Sequence, residues 1–440
     1  MSIISQISAR WILDSRGTPT VSCQVAIESN NTKFVGKAGV PSGASTGTYE
    51  AVELRDGGSE FDGKGVSKAI DNLINQIGKA LLGKEFANAK EVDEFILNLE
   101  ESLENQLNSH QISPKSVLGA NAILGVSMAC HRAFASSQGL ELWQYLRQEY
   151  FNTQTSNQFP RLMCNIFNGG AHASNNIDIQ EFMIIPNTGN IEKDVQMSAE
   201  VYQTLKKILK KQGQTTAVGD EGGFAPNYNG TVEVFKTIEK AIVDCGYSSV
   251  NCDLAMDCAS NEFYNPETKT YNLDGVEYSQ SALADFYYQL CQNHNVVSIE
   301  DGFNEDDILG WELMTAKMGK KTHLIGDDLF VTNPDRFIKI GLENKIANGV
   351  LIKLNQIGTV IETAKMINMA KENNYVVAVS HRSGETNDDF ISDLAFACQS
   401  EFIKLGAPAR GERVAKFNRL LEIFEDISSR VRSSSPCLHT

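Results

Sequence analysis

The feature that most constrains the fold is a series of short apolar segments after Gly139, most of them ending in a charged or titratable residue. The closing residues of the last six segments stand 43, 27, 26, 28 and 23 positions apart and are Asp257, Glu300, Asp327, Lys353, His381 and Lys404. A strand, its helix and two loops occupy about 25 to 30 residues, so this spacing predicts a βα repeat. Two further segments, LMCNIF and EFMIIP, precede these six. Eight candidate strands predict a (β/α)8 barrel of the TIM type.

The residues before the barrel pattern form a separate, smaller unit. Residues 6–40 alternate in polarity around turn signals at 14–17 and 30–31, which predicts a small antiparallel sheet. Three stretches of helical period follow, the last opened by Ser113 and Pro114 as cap and first-turn proline. We therefore predict an α/β protein with an α+β domain over residues 1–138 and a barrel over 139–440. The barrel is expected to be irregular, because Gly- and Asn-rich sequence without a helix separates its first two strands.

Composition excludes several classes of protein. The net charge of −16 opposes a broad nucleic-acid or anionic-lipid surface, so an anionic ligand needs a local cationic pocket. Nine cysteines without a C-x-x-C pair, most of them in apolar runs, are typical of a reduced protein. Residues 1–17 lack the basic segment followed by an apolar segment that is typical of a secretory signal peptide, and no run of about 18 apolar residues occurs in the sequence. We expect a cytoplasmic protein without a membrane span, although a secondary presence at the cell surface stays open.

Three carboxylates close successive predicted strands, and the C-terminal ends of barrel strands are where barrel enzymes place their chemistry. Asp257, Glu300 and Asp327 would therefore converge on one point. Facing carboxylates repel one another and raise their pKa values unless a cation lies between them, and their oxygens suit a hard ion such as magnesium. The alternative is that each carboxylate merely caps the following helix.

Lys353 ends the next strand and is a candidate base. Beside a metal and other cations its ammonium form would be disfavoured, which leaves more neutral amine to accept a proton. The alternative, a salt bridge to Asp327 across the barrel mouth, is compatible with that role. His381, Arg382, Ser383 and Lys404 follow on the last two strands.

A second group of polar residues comes from the irregular part of the barrel. It contains His172 in NGGAHASNN, the pair Gln180 and Glu181, and Glu221 between glycines in VGDEGGFAP. Two carboxyl groups held close together share one proton, so one of Glu181 and Glu221 can act as an acid. For Glu221 alone, a surface turn is the simpler reading.

Ser45 lies in Gly43-Ala-Ser-Thr-Gly47, which fits the nucleophile elbow of a serine hydrolase. The acidic segment that follows is a poor match for the buried helix that such an elbow requires. A flexible glycine loop with another use is the competing interpretation.

Motifs along essentially the whole chain resemble the enolase family, and its bacterial-type members in particular. They include PSGASTG at 41–47, GANAILGVSMA at 119–129, FNGGAHASNN at 167–176, VGDEGGFAPN at 218–227, SIEDGF at 298–303, GDDLFVTNP at 326–334, IKLNQIGT at 352–359 and SHRSGETND at 380–388. The resemblance implies a lyase of glycolysis and gluconeogenesis that reversibly dehydrates 2-phosphoglycerate to phosphoenolpyruvate. Leu405 departs from the family, in which threonine is usual after the binding lysine.

The resemblance also implies roles for individual residues. Lys353 would remove the C2 proton, and Glu221 would protonate the departing hydroxyl with support from Glu181 and His172. Substrate contacts would come from Gln180, His172, His381, Arg382, Ser383 and Lys404. Asp257, Glu300 and Asp327 would hold one magnesium ion, and Ser45 lies on the loop of a second ion. A homo-oligomer is implied as well.

Two other functions stay open from the sequence. One is an inactive enolase-like scaffold or surface-binding protein, which the intact acid, base and metal residues oppose. The other is a hydrolase that uses Ser45, which predicts that Ser45→Ala abolishes turnover while chelation does not.

Overall fold

The structure, a computed structural model, describes residues 1–43, 49–106, 114–151 and 156–434. Ser45 and Ser113 lie outside the described residues, so their predicted roles stay predictions.

The N-terminal sheet agrees with the prediction from residues 6–40. Strands β1 (Ser2–Leu13), β2 (Pro19–Ser29), β3 (Thr32–Gly39) and β4 (Glu85–Phe86) form one antiparallel sheet in the order β3-β2-β1-β4. Asn30 and Asn31 have φ of 50° and 62°, the left-handed pair that a tight hairpin between β2 and β3 requires. The Asp14 carboxylate closes the preceding turn by accepting from the amides of Arg16 and Thr18 at 2.9 and 2.8 Å.

Helices cover one face of this sheet. They span residues 67–81, Ala89–Gln106, Ala120–Ser137 and Leu142–Tyr150. The Ala120–Ser137 helix lies so close to β3 that a Cβ at Gly36 would overlap the carbonyl oxygen of Ala129. The absence of a side chain at Gly36 on β3 therefore permits the approach.

The predicted helix start at Pro114 is wrong, because this helix begins at Ala120. Lys115 and Gly119 have φ of 59° and 93°, which breaks the helical path before residue 120. The amides of Val117 and Leu118 instead donate to the Glu100 carboxylate at 3.0 and 2.9 Å.

The eight predicted strands form a closed barrel in the order β11-β12-β13-β14-β15-β5-β6-β7. The strands after β4 are β5 (Arg161–Asn168), β6 (Glu181–Pro186), β7 (Cys252–Asp257), β8 (Tyr264–Asn265), β9 (Thr270–Leu273), β10 (Val276–Tyr278), β11 (Val296–Glu300), β12 (His323–Gly326), β13 (Gly349–Ile352), β14 (Val376–Ser380) and β15 (Phe402–Gly406). β8 to β10 form a small separate sheet. β6 runs antiparallel to both of its neighbours, which confirms the irregularity expected near the first two strands.

Helices surround the barrel. Their bounds are Ile191–Lys211, Thr231–Asp244, Gln280–His294, Ile308–Met318, 334–342, Leu354–Ile357, Val360–Glu372, Phe390–Cys398 and Gly411–Ser434. Apolar side chains such as Met163, Leu351 and Phe402 fill the barrel interior, and a larger apolar layer lies between strands and helices. Among the described residues, no helix is both long and apolar enough to span a bilayer.

Part-buried polar contacts join the N-terminal unit to the barrel. Arg132 donates to Asp388 at 2.7 and 2.9 Å and to Asp389 at 2.8 Å, so it ties the Ala120–Ser137 helix to the loop after β14. The domain boundary between residues 138 and 139 stays a prediction.

Candidate active site

A cavity of about 230 Å³ opens at the C-terminal ends of the parallel barrel strands. Its lining is strongly polar and includes Glu50, His172, Gln180, Glu181, Glu221, Asp257, Asp301, Asp327, Asp328, Lys353, His381, Arg382, Ser383 and Lys404. Glu181 is the first residue of its strand, and it reaches this end of the barrel because β6 runs in the opposite direction. Nearly every predicted site residue that is described therefore lines one cavity. The exception, Glu300, is fully buried behind it.

Lys404 lies among the carboxylates at the base of the cavity. Its Nζ atom is 2.8 Å from Asp257, 2.9 Å from Glu300 and 2.9 Å from Glu181. Burial acts to lower the pKa of Lys404, but these carboxylates raise it, and the net pKa lies well above its usual value. Lys404 is therefore a permanent cation here.

Glu300 shows the charge repulsion expected from the sequence. Burial and the neighbouring Asp257 carboxylate raise the pKa of Glu300 well above its usual value, although Lys404 opposes the shift. Asp327 behaves differently. Burial acts to raise its pKa, but Lys353 and Arg382 bring it below the usual value.

The predicted salt bridge between Lys353 and Asp327 is present. The side-chain amide of Gln356 also donates to Asp327 Oδ1 at 2.8 Å. The backbone amide of Lys353 donates to Thr332 Oγ1 at 2.9 Å. Burial acts to lower the pKa of Lys353, while Asp327 and Glu300 raise it, and the net shift is upward. With this ion pair intact, Lys353 is protonated, so the neutral amine expected of a base is not the form held here.

Glu181, Glu221 and His172 form the second group, with ligand-type atoms that all lie within 4.8 Å of one another. Burial and the Glu221 carboxylate raise the pKa of Glu181 well above its usual value. Glu221 is buried too, yet His172 and Lys404 favour its ionised form, and its pKa lies well below the usual value. Asn165 donates to Glu221 Oε2 at 2.9 Å. The two carboxyl groups thus differ in protonation, with the proton on Glu181.

The remaining predicted substrate contacts lie on the loop after β14 and beside Asp257. Arg382 Nη1 is 3.0 Å from Glu50 Oε2, and both side chains are buried. Ser383 Oγ accepts a hydrogen bond from Arg16 at 3.3 Å. Gln180 Nε2 donates to Asp257 Oδ2 at 3.3 Å.

Sequence reasoning missed five acidic residues of the cavity, namely Glu50, Glu262, Asp301, Glu305 and Asp328. Glu50 lies 332 positions from its partner Arg382, and no local pattern connects them. Asp301 accepts from the amides of both Asp327 and Asp328 at 2.9 Å and so shapes the end of β12. Its position directly after Glu300, in SIED, was an available signal.

The side chains present could hold a metal ion. Apart from the His172 group, ligand-type oxygens of Asp301, Asp327 and Asp328 lie within 4.8 Å of one another. The predicted set of Asp257, Glu300 and Asp327 supplies only carboxylate oxygen, the donor that hard divalent cations take. The raised pKa of buried Glu300 shows that a further positive charge would be stabilised there. That set stays a prediction.

A buried cluster of carboxylates and lysines at the mouth of an eight-stranded barrel defines an acid–base enzyme of the barrel class. Residues 4–146 match the family described as "Enolase, N-terminal domain", and residues 156–435 match "Enolase, C-terminal TIM barrel domain". The chain belongs to the enolase family. It is therefore an enzyme of the carbon–oxygen lyase class, and the resemblance stated from the motifs is confirmed.

Two curated relatives support the same assignment. The chain is 46% identical over 431 residues to "Enolase" of Elusimicrobium minutum (strain Pei191), which covers 98% of this chain and 97% of the relative. It is 46% identical over 427 residues to "Enolase" of Corynebacterium kroppenstedtii, which covers 97% of this chain and 96% of that relative.

Proposed function

We propose that this chain interconverts 2-phosphoglycerate and phosphoenolpyruvate by the reversible loss of water, in glycolysis and gluconeogenesis. The observation that supports the residue assignment is the strand order of the barrel. β13, which precedes Lys353, and β6, which begins with Glu181, are four strands apart in either direction around the eight-stranded barrel. A substrate between them has a base on one face and an acid pair on the other.

Lys353 removes the proton from C2 of the substrate in this proposal. The amine must first lose its own proton, which its ion pair with Asp327 opposes. Asp327 is also a proposed magnesium ligand, and a carboxylate engaged elsewhere stabilises the ammonium less. A magnesium ion held by Asp327 would therefore favour the neutral amine of Lys353.

Glu221 delivers a proton to the departing C3 hydroxyl. The pKa of Glu181 is the raised one of the pair, so Glu181 is the member proposed to support Glu221 as the acid. His172 Nδ1 lies 3.6 Å from Glu221 Oε1, beside that carboxylate. Acid and base on opposite faces predict that hydrogen and hydroxyl leave from opposite sides.

The cations Arg382 and Lys404 supply the local positive charge that a protein of net charge −16 needs in order to bind an anion. Arg382 offers a planar fork of donors that suits the substrate phosphate. Ser383, His381, Gln180 and His172 complete the substrate contacts.

Asp257, Glu300 and Asp327 would hold one Mg²⁺, and Ser45 belongs to the loop proposed for a second ion, so two ions per site are expected. Bound Mg²⁺ supplies positive charge that stabilises the enolate formed when the C2 proton leaves. The all-carboxylate donor set is what supports magnesium over a softer metal.

The test is the absorbance of phosphoenolpyruvate after addition of 2-phosphoglycerate, with magnesium or with a chelator. We expect product only with magnesium, and none from Lys353→Ala. Lys371→Ala is the matched control, because among the described residues Lys371 donates to the backbone carbonyls of residues 398 and 399, so its loss should leave turnover intact. No product from the wild type with magnesium would refute the function, and full activity of Lys353→Ala would refute the assigned base.

We also propose a cytoplasmic homo-oligomer that does not bind nucleic acid. Large apolar side chains on β1 support the oligomer, since Trp11 and Leu13 are 52% and 54% exposed. Light scattering after size exclusion should give a multiple of 48.4 kDa, and Trp11→Glu should reduce it. A monomeric wild type would contradict the proposal.

A further inference from the structure

Arg413 is a fully buried guanidinium to which the reaction proposed above gives no role. It lies near the start of the Gly411–Ser434 helix and has no exposed surface. Burial of a charged side chain is unfavourable unless its donors are satisfied, and removal of one partner from such a group is strongly destabilising. The bonds that satisfy it therefore indicate what it does.

Three of those bonds go to backbone carbonyls in the two loops that carry site residues. Nη1 donates to the carbonyl of Arg382 at 2.6 Å, and Nη2 donates to that of Ser383 at 2.7 Å. Nη2 also donates to the carbonyl of Asp220 at 3.2 Å, directly before Glu221. The rigid fork of the guanidinium thus joins the loop after β14 to the Glu221 loop.

The fourth bond determines where the hydrogen of a site histidine lies. Arg413 Nη1 is 2.7 Å from His381 Nδ1, and a guanidinium can only donate. Nδ1 must therefore be the acceptor, so the ring carries its hydrogen on Nε2. Within the described residues Nε2 has no hydrogen-bond partner, and it lies 3.6 Å from Glu221 Oε1 in the cavity wall.

We propose that Arg413 is a positioning residue that fixes His381 in its neutral Nε2–H form and directs that N–H into the active site. The proposal rests on the proposed function, in which His381 contacts the substrate. Gly406 supports the close packing, since a Cβ there would lie 3.0 Å from both Arg413 Cδ and His381 Cε1. The charge environment agrees. Burial and Arg413 hold the pKa of His381 well below its usual value, although Glu221 acts in the opposite direction.

The direct test is an ¹⁵N spectrum of the histidine side chains, which does not depend on activity. The protein has seven histidines, and the loss of one signal set in His381→Gln assigns the ring. We expect Nε2 protonated and Nδ1 unprotonated in the wild type, and a mixture of forms in Arg413→Met. A wild-type ring protonated on Nδ1 would overturn the proposal, whatever the enzyme does with 2-phosphoglycerate.

Kinetics provide the second readout. Loss of one hydrogen bond to a charged group corresponds to about a tenfold change or more, so Arg413→Met and His381→Gln should each lower kcat/KM for 2-phosphoglycerate about tenfold. The double variant should lose little beyond either single variant, because both remove the same interaction. Full additivity would contradict the proposal.

A conservative variant and a control separate positioning from general stability. Arg413→Lys keeps the charge but not the fork, so we expect it to fold and still to show a mixed His381 signal. Arg419→Lys is the matched control on the same helix, since Arg419 pairs with Asp393 and Glu141. It should leave the His381 signal and kcat/KM unchanged, and a change equal to that of Arg413→Lys would overturn the proposal.

Discussion

Asp93 provides a test of the energetic reasoning away from the active site. It lies on the Ala89–Gln106 helix and is fully buried. Its Oδ2 atom accepts hydrogen bonds from Ser127 Oγ at 2.9 Å and from the backbone amide of Ile361 at 3.1 Å. Ile361 lies at the start of the Val360–Glu372 helix. Oδ1 has no partner among the described residues. Burial raises the pKa of Asp93 from 3.8 to about 7, and the two hydrogen bonds only partly oppose this rise.

The sign of the effect on stability follows from proton binding. Below pH 3.8 Asp93 is protonated in both states, and its neutral form is tolerated in the fold. Between pH 3.8 and about 7 the unfolded chain releases the proton while the folded protein keeps it, so stability falls as the pH rises. At 1.36 kcal/mol for each pKa unit, the loss is complete above pH 7 at about 4 kcal/mol.

Asp93→Asn removes this ionisation and keeps an acceptor for Ser127 and Ile361. We expect the free energy of unfolding of the variant, relative to that of the wild type, to be about 3 kcal/mol larger at pH 8 than at pH 5, so that the variant is relatively more stable at pH 8. Urea titrations followed by circular dichroism at both pH values measure this difference. A relative stability that is the same at pH 5 and pH 8 would refute a buried carboxyl that titrates near 7.

Asp388→Asn is the matched control, because it changes a buried aspartate of the opposite kind. Burial acts to raise the pKa of Asp388, but Arg132 brings it below its usual value. Asp388 is therefore ionised in the folded state at both pH values. The variant should lose stability by a similar amount at pH 5 and pH 8.

Three further changes have definite outcomes. Lys404→Met leaves buried carboxylates without their shared ammonium, so in chelator the stability should fall by about 3 kcal/mol and the melting temperature should fall with it. Magnesium should restore part of the loss, and an unchanged thermal transition in chelator would contradict this prediction. Arg132→Met removes the cationic partner of Asp388, which keeps its hydrogen bonds from the backbone amides of Gly39 and Phe390, and should cost about 2 kcal/mol in urea titrations. A loss below about 0.5 kcal/mol would show a weak tie between the domains. Gly406→Ala places a side chain where φ is 77° and Cβ would lie 2.9 Å from the carbonyl oxygen of Glu221, so both stability and turnover should fall. A fully active and equally stable variant would contradict this, because it would show that the Glu221 loop can move to accommodate the methyl group.

The barrel could be predicted because one strand and one helix per unit leave a regular period in the sequence. Asp257 and Glu300 end their strands, and Asp327 and Lys353 directly follow theirs, as the period predicts. The orientation of β6 was not predictable in this way, because its apolar run EFMIIP reads alike in either direction. Only the fold shows why Glu181, at the start of a strand, lies beside residues at strand ends.

Alternation along a strand also explains why one departure from the family pattern is harmless to the cavity. Phe402 and Lys404 point into the barrel, so Leu405 points outward, where it is fully buried in the apolar layer between strands and helices. A leucine at this position packs against apolar neighbours on the side of the strand away from the cavity. The sequence showed the substitution, but only the direction of the side chain decides its effect.

Contacts between residues far apart in the chain could not be predicted from the sequence, for a different reason. The identities of Glu50, Arg382, Arg413 and His381 are visible in the chain, but which cation meets which acceptor depends on how two loops and a helix dock. The protonation states depend on the same docking. Glu181 and Glu221 are chemically identical side chains, but their pKa values shift in opposite directions because Glu221 faces His172 as well as the other carboxyl group. A pattern of residue types can locate an acid–base pair, but the surrounding donors decide which member holds the proton.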